Sequence, residues 1–370
     1  MDTDEALADR TLRRLLREVR PAWSLRGASA AEEGTDLVYF LDVETPEGPR
    51  ECVLKAREFL DPEAFRPEPY LMTLADRRTS MSVPSVVGAV DDHPDLPAPF
   101  FLMERRAGDV RENGARDLHA DAMERIARDA GRWLGELHGL GDFERFGPIR
   151  LARDVDPEAG GAAPDRADRI PGGIAVEGRT ITVGEAGTDS WRDRIASMAD
   201  DCLDDLHDRF ADLEPDLRAF VDDRLDALPD GPGRDGPDGG VAPVLGHDDY
   251  RLGNLLVDPE TGETRAVLDW GNAHTMTARY NLVVTEQYLS GWATRDDPLR
   301  ERVRAALREG YRESGELPRG SDDERRRELY LAVTRTFPLG CFSLWYGDFP
   351  ASEREAVAER NRRAVLDLVD

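Results

Sequence analysis

The sequence predicts a two-lobed α+β fold, in which a small antiparallel β-sheet carrying one helix precedes a larger, mainly helical lobe. The chain has 370 residues, enough for two compact lobes with separate hydrophobic cores. Its first part shows strand and helix patterns in the order β-β-α-β-β, which is typical of a small antiparallel sheet. After Gly108 the patterns become mainly helical, and we therefore place the lobes at 1–104 and 105–370.

The N-terminal lobe begins with an amphipathic helix over 4–20, where leucines recur at helical spacing between charged residues. From Trp23 onwards the pattern becomes strand-like. A second helix is predicted over 63–77, although Pro67 and Pro69 are expected to delay its start. The predicted strands, rich in β-branched and aromatic residues between turn residues, lie at 36–43, 51–56, 85–90 and 100–104.

The C-terminal lobe is predicted from long helical patterns separated by loops rich in glycine, proline and aspartate. The helical patterns cover 117–140, 190–228 and most of the chain after 272. The predicted loops lie at 154–188, with a short hairpin at 178–184, and at 231–240. A second hairpin, with strands at 254–257 and 265–270, precedes the last helices.

The composition is strongly acidic, with a formal net charge of −27 and a pI of about 4.7. Nucleic acids and anionic membranes are therefore disfavoured as partners, because binding phosphate groups requires clustered basic residues. Lys55 is the one lysine among 49 basic residues, and the other 48 are arginines. An acidic, lysine-poor surface is typical of a protein solvated in concentrated salt, so we do not interpret the acidity as evidence for a cationic substrate.

The cysteines indicate a reducing compartment. Cys52, Cys202 and Cys341 are odd in number, far apart and without metal-ligand spacing. The first twenty residues lack the apolar stretch of a signal peptide, and no apolar run approaches the length of a membrane span. We therefore expect a globular, cytoplasmic protein.

One short segment contains side chains suited to metal and proton chemistry. His247, Asp249 and Asn254 lie in a loop that leads directly into the predicted strand 254–257, and the returning strand contains Asp269. A hairpin of this length brings its two ends together, so Asn254 and Asp269 are expected to face one point. An amide oxygen and a carboxylate there suit Mg²⁺, which takes few protein ligands. Asp249 is placed to accept a proton from a hydroxyl group, as in-line phosphoryl transfer requires.

The order His-x-Asp-x-x-x-x-Asn, followed by a hairpin and an aspartate, matches the catalytic and metal-binding loops of protein kinases. The local sequence is more similar to the aminoglycoside phosphotransferase and choline-kinase-like superfamily, whose hairpin ends in Asp-Trp or Asp-Phe. Here 246–257 reads Gly-His-Asp-Asp-Tyr-Arg-Leu-Gly-Asn-Leu-Leu-Val, and 266–270 reads Ala-Val-Leu-Asp-Trp. The resemblance implies a protein-kinase-like fold and transfer of the γ-phosphate of ATP to a small-molecule hydroxyl group.

The resemblance also implies roles for the residues of the motif. Asp249 would be the catalytic base, and Asn254 and Asp269 would be the Mg²⁺ ligands. His247 would hold the loop in place, with support from Asn281. The N-terminal lobe would then bind the nucleotide, and the helical lobe would contain the catalytic loop, the metal-binding hairpin and the acceptor pocket.

Lys55 is a candidate phosphate ligand. A kinase-like lobe uses a lysine on its third strand, oriented by a glutamate from the next helix, to hold the α- and β-phosphates. Lys55 stands on the last strand before that helix. Glu68 is the first choice of partner, with Glu58 and Glu63 as alternatives, and a solvated charge on the helix surface is the other interpretation of Glu68.

Two further segments resemble nucleotide-binding elements. The stretch 99–105, Pro-Phe-Phe-Leu-Met-Glu-Arg, resembles the strand and hinge that bind adenine through backbone groups. It would place Met103 behind the purine and use Glu104 and Arg105 as hinge residues. No glycine-rich phosphate loop occurs, and the candidates in its place are Ser29, Gly34 and Thr35.

The chain departs from the superfamily at two positions. Asp248 stands where glycine usually follows the motif histidine, and Asn281 replaces an aspartate that ties down the catalytic loop. Trp345, Tyr346 and Asp348 are candidates for the acceptor pocket, and a place in the hydrophobic core is the other interpretation of the aromatic residues.

Two classes of function follow from these features. The first is a small-molecule kinase whose acceptor is an aminoglycoside-like sugar, an amino alcohol, a ketosamine or a homoserine-like amino acid. The second is a kinase-fold regulatory module that binds nucleotide with little or no turnover.

Overall fold

The computed structural model describes residues 7–31, 36–58, 61–111, 114–152, 168–170, 172–226, 228, 242–317, 323–347 and 349–369. Its N-terminal part contains an antiparallel sheet with the order β1-β2-β3-β5-β4. The strands are β1 (Ser24–Ala30), β2 (Leu37–Thr45), β3 (Gly48–Ala56), β4 (Val86–Val90) and β5 (Phe100–Glu104). The predicted strands are confirmed, and β1 extends the sheet from the strand-like stretch after Trp23.

Two helical segments cover opposite faces of this sheet. Helix α1 (Asp9–Val19) buries Leu12, Leu15 and Leu16 against apolar residues of β2, β3 and β5. The predicted helix over 63–77 is two pieces, α2 (Pro62–Phe65) and α3 (Glu68–Arg78). Prolines are tolerated in a first helical turn, where their missing N–H has no partner to lose, and α3 therefore begins beside Pro67 and Pro69. This break places Glu68 at the start of α3, facing the sheet.

The C-terminal part is mainly helical, as predicted. Its helices are α4 (Ala120–His138), α5 (Trp191–Asp204), α6 (Glu214–Leu225), α7 (Ala278–Leu289), α8 (Pro298–Ser314), α9 (Glu324–Gly340), α10 (Phe342–Tyr346) and α11 (Ala351–Val369). The predicted helix over 190–228 is interrupted between α5 and α6 by a 3-10 turn. Helices α4 and α8 approach closely at Gly131. A Cβ on this residue would lie only 1.9 Å from the carbonyl oxygen of Leu307, so the contact requires glycine.

A second antiparallel sheet, with the order β10-β13-β6-β9-β8-β7, was largely missed by the sequence patterns. Its strands are β6 (Gly147–Ala152), β7 (Asp168–Ile170), β8 (Gly173–Val176), β9 (Arg179–Val183), β10 (Val244–Gly246) and β13 (His274–Met276). The prediction of a loop is therefore wrong for 168–170 and 173–176, and the hairpin predicted at 178–184 begins earlier, because β8 pairs with β9. These strands are short and lie among glycines, so their apolar alternation is too brief to stand out.

The hairpin of the motif region forms, but its returning strand is shorter than predicted and does not contain Asp269. Strands β11 (Leu255–Val257) and β12 (Thr264–Val267) are antiparallel, and Leu255 pairs with Val267. Strand β12 ends before Asp269, which lies in the segment between β12 and β13. Among the described helices, none is both long and apolar enough to cross a membrane. The division of the chain after residue 104 stays a prediction.

Candidate active site

Lys55 lies at the point where the two parts of the chain meet. It stands on β3, and its Nζ is 2.9 Å from both carboxylate oxygens of Glu68 at the start of α3. The same Nζ is 2.9 Å from Oδ1 of Asp269, beyond the hairpin of the C-terminal part. The structure thus brings Lys55 and Glu68 together, whereas Glu63 pairs with Arg66.

The sequence patterns missed a further carboxylate at this position. Oδ2 of Asp36 is 3.6 Å from the Lys55 ammonium, and the Asp36 side chain is only 3% exposed. Val38 pairs with Lys55 across β2 and β3, so Asp36 is the diagonal neighbour of Lys55. The strand register was the signal that could have found it.

Lys55, Glu68, Asp36 and Asp269 form the Lys55 cluster, and their charges depend on one another. Burial lowers the pKa of Lys55, but the carboxylates of Glu68, Asp269 and Asp36 outweigh burial and raise that pKa overall. Burial raises the pKa of Glu68 to about 7, against the attraction of Lys55. Burial also acts to raise the pKa of Asp269, but the Lys55 charge outweighs it and holds that pKa below its ordinary value. Asp269 is therefore ionised at neutral pH.

Asp249 is held by hydrogen bonds to each of its carboxylate oxygens. Oδ1 accepts from Nε of Arg251 at 2.9 Å, and Oδ2 accepts from Nδ2 of Asn254 at 2.8 Å. Nδ2 of Asn254 also donates to the Asp249 carbonyl at 3.0 Å. The structure thus brings Asp249 and Asn254 together and fixes the orientation of the carboxylate.

His247 connects the catalytic loop to the hairpin. Its Nε2 donates to the carbonyl oxygen of Leu268 at 3.0 Å, and its Nδ1 accepts from the backbone N–H of Asp249 at 3.4 Å. Burial lowers the pKa of His247, so the imidazole is neutral and can donate and accept at once. The backbone N–H of Leu268 donates to the carbonyl of Asn254 at 2.8 Å. These bonds hold Asn254 and Asp269 at the same end of the hairpin.

Asp269 itself adopts a backbone conformation that is unusual for its residue type. Its φ is +57°, in the left-handed region that favours glycine. Such conformations cost on the order of 1 kcal/mol or more and cluster at functional sites. The following N–H, of Trp270, lies 3.4 Å from Oε1 of Glu68. The surrounding contacts thus hold Asp269 in this conformation, with its carboxylate towards Lys55.

The oxygen atoms at this end of the hairpin fit a magnesium ion. Asn254 uses its amide nitrogen for Asp249, so the amide oxygen is the atom it can offer to a cation. Asp269 is ionised, and its side chain is 37% exposed. One amide oxygen and one carboxylate suit Mg²⁺, which completes its shell with water and phosphate oxygens. No described group of three or more His, Cys, Asp or Glu side chains forms a metal site.

Asn281 supports the catalytic loop through a chain of hydrogen bonds. Its Nδ2 donates to the carbonyl oxygen of His247 at 3.2 Å, and its Oδ1 lies 3.0 Å from Nε2 of His138. Nδ1 of His138 is 3.0 Å from the hydroxyl of Tyr311. Burial lowers the pKa of His138 to about 4, so the ring is neutral. Asn281 thus supports the loop as a hydrogen-bond donor, because the carbonyl of His247 faces its amide nitrogen.

Replacing Asn281 by aspartate is therefore expected to destabilise the protein. A carboxylate cannot donate to the His247 carbonyl, and losing that buried bond costs about 1–3 kcal/mol of unfolding free energy. The new charge raises the pKa of His138 in the folded variant. The stability deficit of the variant relative to the wild type is therefore expected to shrink as the pH falls and His138 becomes protonated. Urea unfolding at pH 8 and pH 5.5 measures both effects. Tyr311→Phe is the control without a new charge, and equal stability of Asn281→Asp and the wild type at both pH values would contradict the expectation.

The candidate adenine-binding residues lie at the end of β5. Met103 is half-buried and pairs with Val53 of β3. The Glu104 N–H donates to the carbonyl of Ser85 at 2.9 Å, so this N–H is committed within the sheet. The Arg105 guanidinium pairs with Glu51 at 3.3 Å.

The remaining candidates are less well placed. Ser29 is exposed on β1, and no hydrogen bond between described residues joins it to the Lys55 cluster. Gly34, Thr35 and Asp348 lie outside the described residues. Tyr346 packs against the core that contains Phe342, whereas Trp345 is 39% exposed and contacts Phe337.

Residues 28–329 match a family model described as the phosphotransferase enzyme family, APH. No curated protein matches the chain in sequence at a significant level. Similar solved structures include a candidate aminoglycoside phosphotransferase from Ralstonia eutropha JMP134, with 16% identity over 98% of this chain and 97% of that chain, at a TM-score of 0.57. The GDP complex of aminoglycoside 2'-phosphotransferase-IIIa has 15% identity, coverage of 95% and 98%, and a TM-score of 0.56. A microcompartment-associated aminopropanol kinase has 16% identity, coverage of 96% and 95%, and a TM-score of 0.55. These likenesses confirm the predicted kinase-like fold.

Proposed function

Since the chain belongs to the phosphotransferase enzyme family, we propose that it transfers the γ-phosphate of ATP to a hydroxyl group of a small molecule. One observation carries the proposal: the Lys55 ammonium of the N-terminal sheet lies 2.9 Å from the Asp269 carboxylate beyond the C-terminal hairpin. A phosphate-binding cation and a metal-binding carboxylate from distant parts of the chain thus meet at one point. Asp249, the proposed base, is connected to that point through Asn254 and His247.

The roles of the residues follow from their chemistry. Lys55, oriented by Glu68, binds the α- and β-phosphates, and Met103, Glu104 and Arg105 line the adenine site. Asn254 and Asp269 would hold Mg²⁺, which would neutralise phosphate charge. Ser29 is the described member of the segment that is proposed to cover the phosphates.

Asp249 accepts the proton of the acceptor hydroxyl as that oxygen attacks the γ-phosphorus. A new O–P bond forms, the bond between the γ-phosphorus and the β–γ bridging oxygen breaks, and ADP leaves. Arg251 and Asn254 hold the carboxylate in position for this transfer. The acceptor and the choice between ATP and GTP are open to test, since the similar aminoglycoside 2'-phosphotransferase-IIIa was solved with GDP. The acidic composition and the separated cysteines favour a cytoplasmic enzyme that does not act on nucleic acid.

A regulatory module that binds nucleotide without turnover is the second candidate. The departures at Asp248 and Asn281 favour it. The chain nevertheless has a lysine, a base and both metal ligands, and a module without turnover has no need for Asp249. Detection of ATP binding without phosphate transfer to any acceptor would favour this second candidate.

Mg-ATP at millimolar concentration is expected to stabilise the protein against heat in molar salt. A ligand at about 100 times its Kd adds about 2.7 kcal/mol to the unfolding free energy, and the melting temperature rises accordingly. Asp269→Ala is expected to remove this shift, because the Mg-ATP complex then loses its carboxylate ligand. Differential scanning fluorimetry, with each variant compared with and without Mg-ATP, measures it.

Glu263→Ala is the matched control, since Glu263 lies on the same hairpin with an exposed side chain. The control is expected to keep the full shift. An unchanged melting temperature of the wild type in Mg-ATP would count against the proposed function. A mass-resolved screen of ATP consumption against hydroxyl-bearing acceptors in molar salt then identifies the product.

A further inference from the structure

Among the described residues, no side chain caps the first turn of α3, which carries Glu68. Backbone bonds from the N–H groups of Tyr70 and Leu71 to the carbonyl of Pro67, at 3.1 and 2.9 Å, close this turn. The proposed mechanism nevertheless requires Glu68 at one position, with both carboxylate oxygens 2.9 Å from Nζ of Lys55. Because a short helix is stabilised mainly by its packing, contacts with the rest of the protein must hold this turn in place.

Tyr70 connects the first turn of α3 to the second sheet. Its hydroxyl donates to the carboxylate of Asp91, whose oxygens lie 3.2 and 3.1 Å away. Nη2 of Arg179, on β9, is 2.6 Å from Oδ2 of the same carboxylate. The Asp91 side chain is only 13% exposed, and charge-assisted bonds to an enclosed carboxylate are stronger than bonds between neutral groups. An arginine of the second sheet thus reaches the first turn of α3 through one carboxylate.

The β8–β9 hairpin makes a second polar contact at the far end of α3. Nη2 of Arg77 is 2.5 Å from Oε1 of Glu177, which lies between β8 and β9. Tyr70 and Arg77 are seven residues apart, so they lie on one face of the helix. Glu68 is two residues before Tyr70 and therefore points in another direction. One face of α3 is thus joined to the hairpin while Glu68 faces Lys55.

The polar contacts between α3 and the hairpin differ in strength. The Arg77 and Glu177 side chains are 55% and 46% exposed, so solvent screens this pair and it contributes little by itself. The bond between Arg179 and Asp91 is better enclosed. Apolar side chains of α3 and β8 also belong to one core cluster, namely Leu71, Leu74, Ile174 and Val176. Among the polar contacts described, Arg179 is therefore the one on which the position of α3 depends most.

We propose that Arg179 is a positioning residue for nucleotide binding. It holds Asp91 and Tyr70, and so fixes the first turn of α3. That turn carries the Glu68 carboxylate, which orients Lys55. The inference rests on the proposed function, in which Lys55 binds the α- and β-phosphates. Without Arg179 the Asp91 carboxylate loses this cation, the uncapped turn can shift, and Lys55 leaves the position in which it meets the phosphates.

The affinity for Mg-ATP gives the first test. Arg179→Met removes the charge but keeps a long side chain, and we expect it to raise the Kd for Mg-ATP by about 10-fold, within the usual range of coupling between separate sites. Arg179→Lys returns a cation to Asp91 and is expected to recover most of the affinity. Tyr70→Phe removes only the hydroxyl and is expected to weaken binding by a smaller factor. Calorimetric titration with Mg-ATP measures each Kd, and an unchanged Kd for Arg179→Met would overturn the proposal.

Arg128→Met is the matched control. Arg128 also bridges two elements, since it pairs with Glu309 at 3.0 Å, and its side chain is 38% exposed against 35% for Arg179. It lies on α4 and its partner on α8, away from α3. The control is expected to bind Mg-ATP as the wild type does. An equal loss of affinity in Arg128→Met would show that any lost ion pair has this effect, and would overturn the specific role of Arg179.

A double-mutant cycle tests whether Arg179 acts through Glu68. In a Glu68→Gln background, Arg179→Met is expected to change the Kd for Mg-ATP by less than about twofold, because the group through which it acts is already lost. A merely structural role predicts the same loss of affinity in both backgrounds. That result would overturn the positioning role, even if Arg179→Met alone weakens binding.

Hydrogen exchange tests the contact without nucleotide. Arg179→Met is expected to speed amide exchange in α3, while the amides of α8 keep their wild-type rates. Unchanged exchange in α3 would overturn the proposal, and so would equally faster exchange in both helices, which indicates a general loss of stability. Failure of the proposed function would appear separately, as a wild type that binds no Mg-ATP although exchange in α3 still responds to Arg179. The role in nucleotide binding would then be lost with it.

Discussion

Replacing Asp249 by asparagine is expected to lower the rate of phosphoryl transfer by a factor of about 10² to 10⁴ while Mg-ATP still binds. The amide cannot accept the proton of the attacking hydroxyl. It also cannot accept on both sides, as Asp249 does from Arg251 and Asn254, so one of these contacts is lost. Initial rates with the best acceptor from the screen measure transfer, and calorimetric titration with Mg-ATP measures binding.

Asp109→Asn is the matched control, because it removes an exposed carboxylate from a segment that bridges to β11. This control is expected to transfer phosphate at the wild-type rate. Retention of transfer by Asp249→Asn would show that another group takes the proton. Loss of both transfer and Mg-ATP binding would assign Asp249 a structural role instead of a catalytic one.

The part of the site that the sequence predicts is the part built from local chain geometry. His247, Asp249, Asn254 and Asp269 come together because a loop and a short hairpin leave little freedom in how their ends are placed. The pairing of Lys55 with Glu68 is almost as local, since the strand and the helix follow one another with one short connection. The spacing of these residues in the sequence is therefore sufficient to predict their contacts.

Other contacts depend on packing between segments that are distant in the sequence, and residue spacing does not predict them. Asn281 donates to the loop because α4 and α7 place His138 beside its other end. The second sheet likewise joins β6 to β13 across more than a hundred residues, where no local pattern indicates the pairing.

Lys55→Met is expected to lower the free energy of unfolding by about 3–5 kcal/mol, because it leaves buried carboxylates without their cation. Glu68, Asp36 and Asp269 all contact the ammonium in the wild type. Burial already raises the pKa of Glu68 to about 7, and loss of Lys55 raises it further. A carboxyl group with a raised pKa in the folded state loses stability as pH rises, so the deficit is expected to be larger at pH 8 than at pH 6. Urea unfolding at both pH values, in the same salt, measures it.

The double variant Lys55→Met with Glu68→Gln separates the lost attraction from the cost of unpaired charge. Removing both partners of a buried pair is far less harmful than removing one, so the double variant is expected to recover part of the stability. Salt screens buried pairs weakly, and the deficit is therefore expected to persist in molar salt. Wild-type stability of Lys55→Met at both pH values would mean that the carboxylates do not depend on the ammonium. Since Asp269 is both a partner of Lys55 and the proposed Mg²⁺ ligand, both Lys55 variants are also expected to lose the Mg-ATP thermal shift, including the double variant whose stability is partly restored.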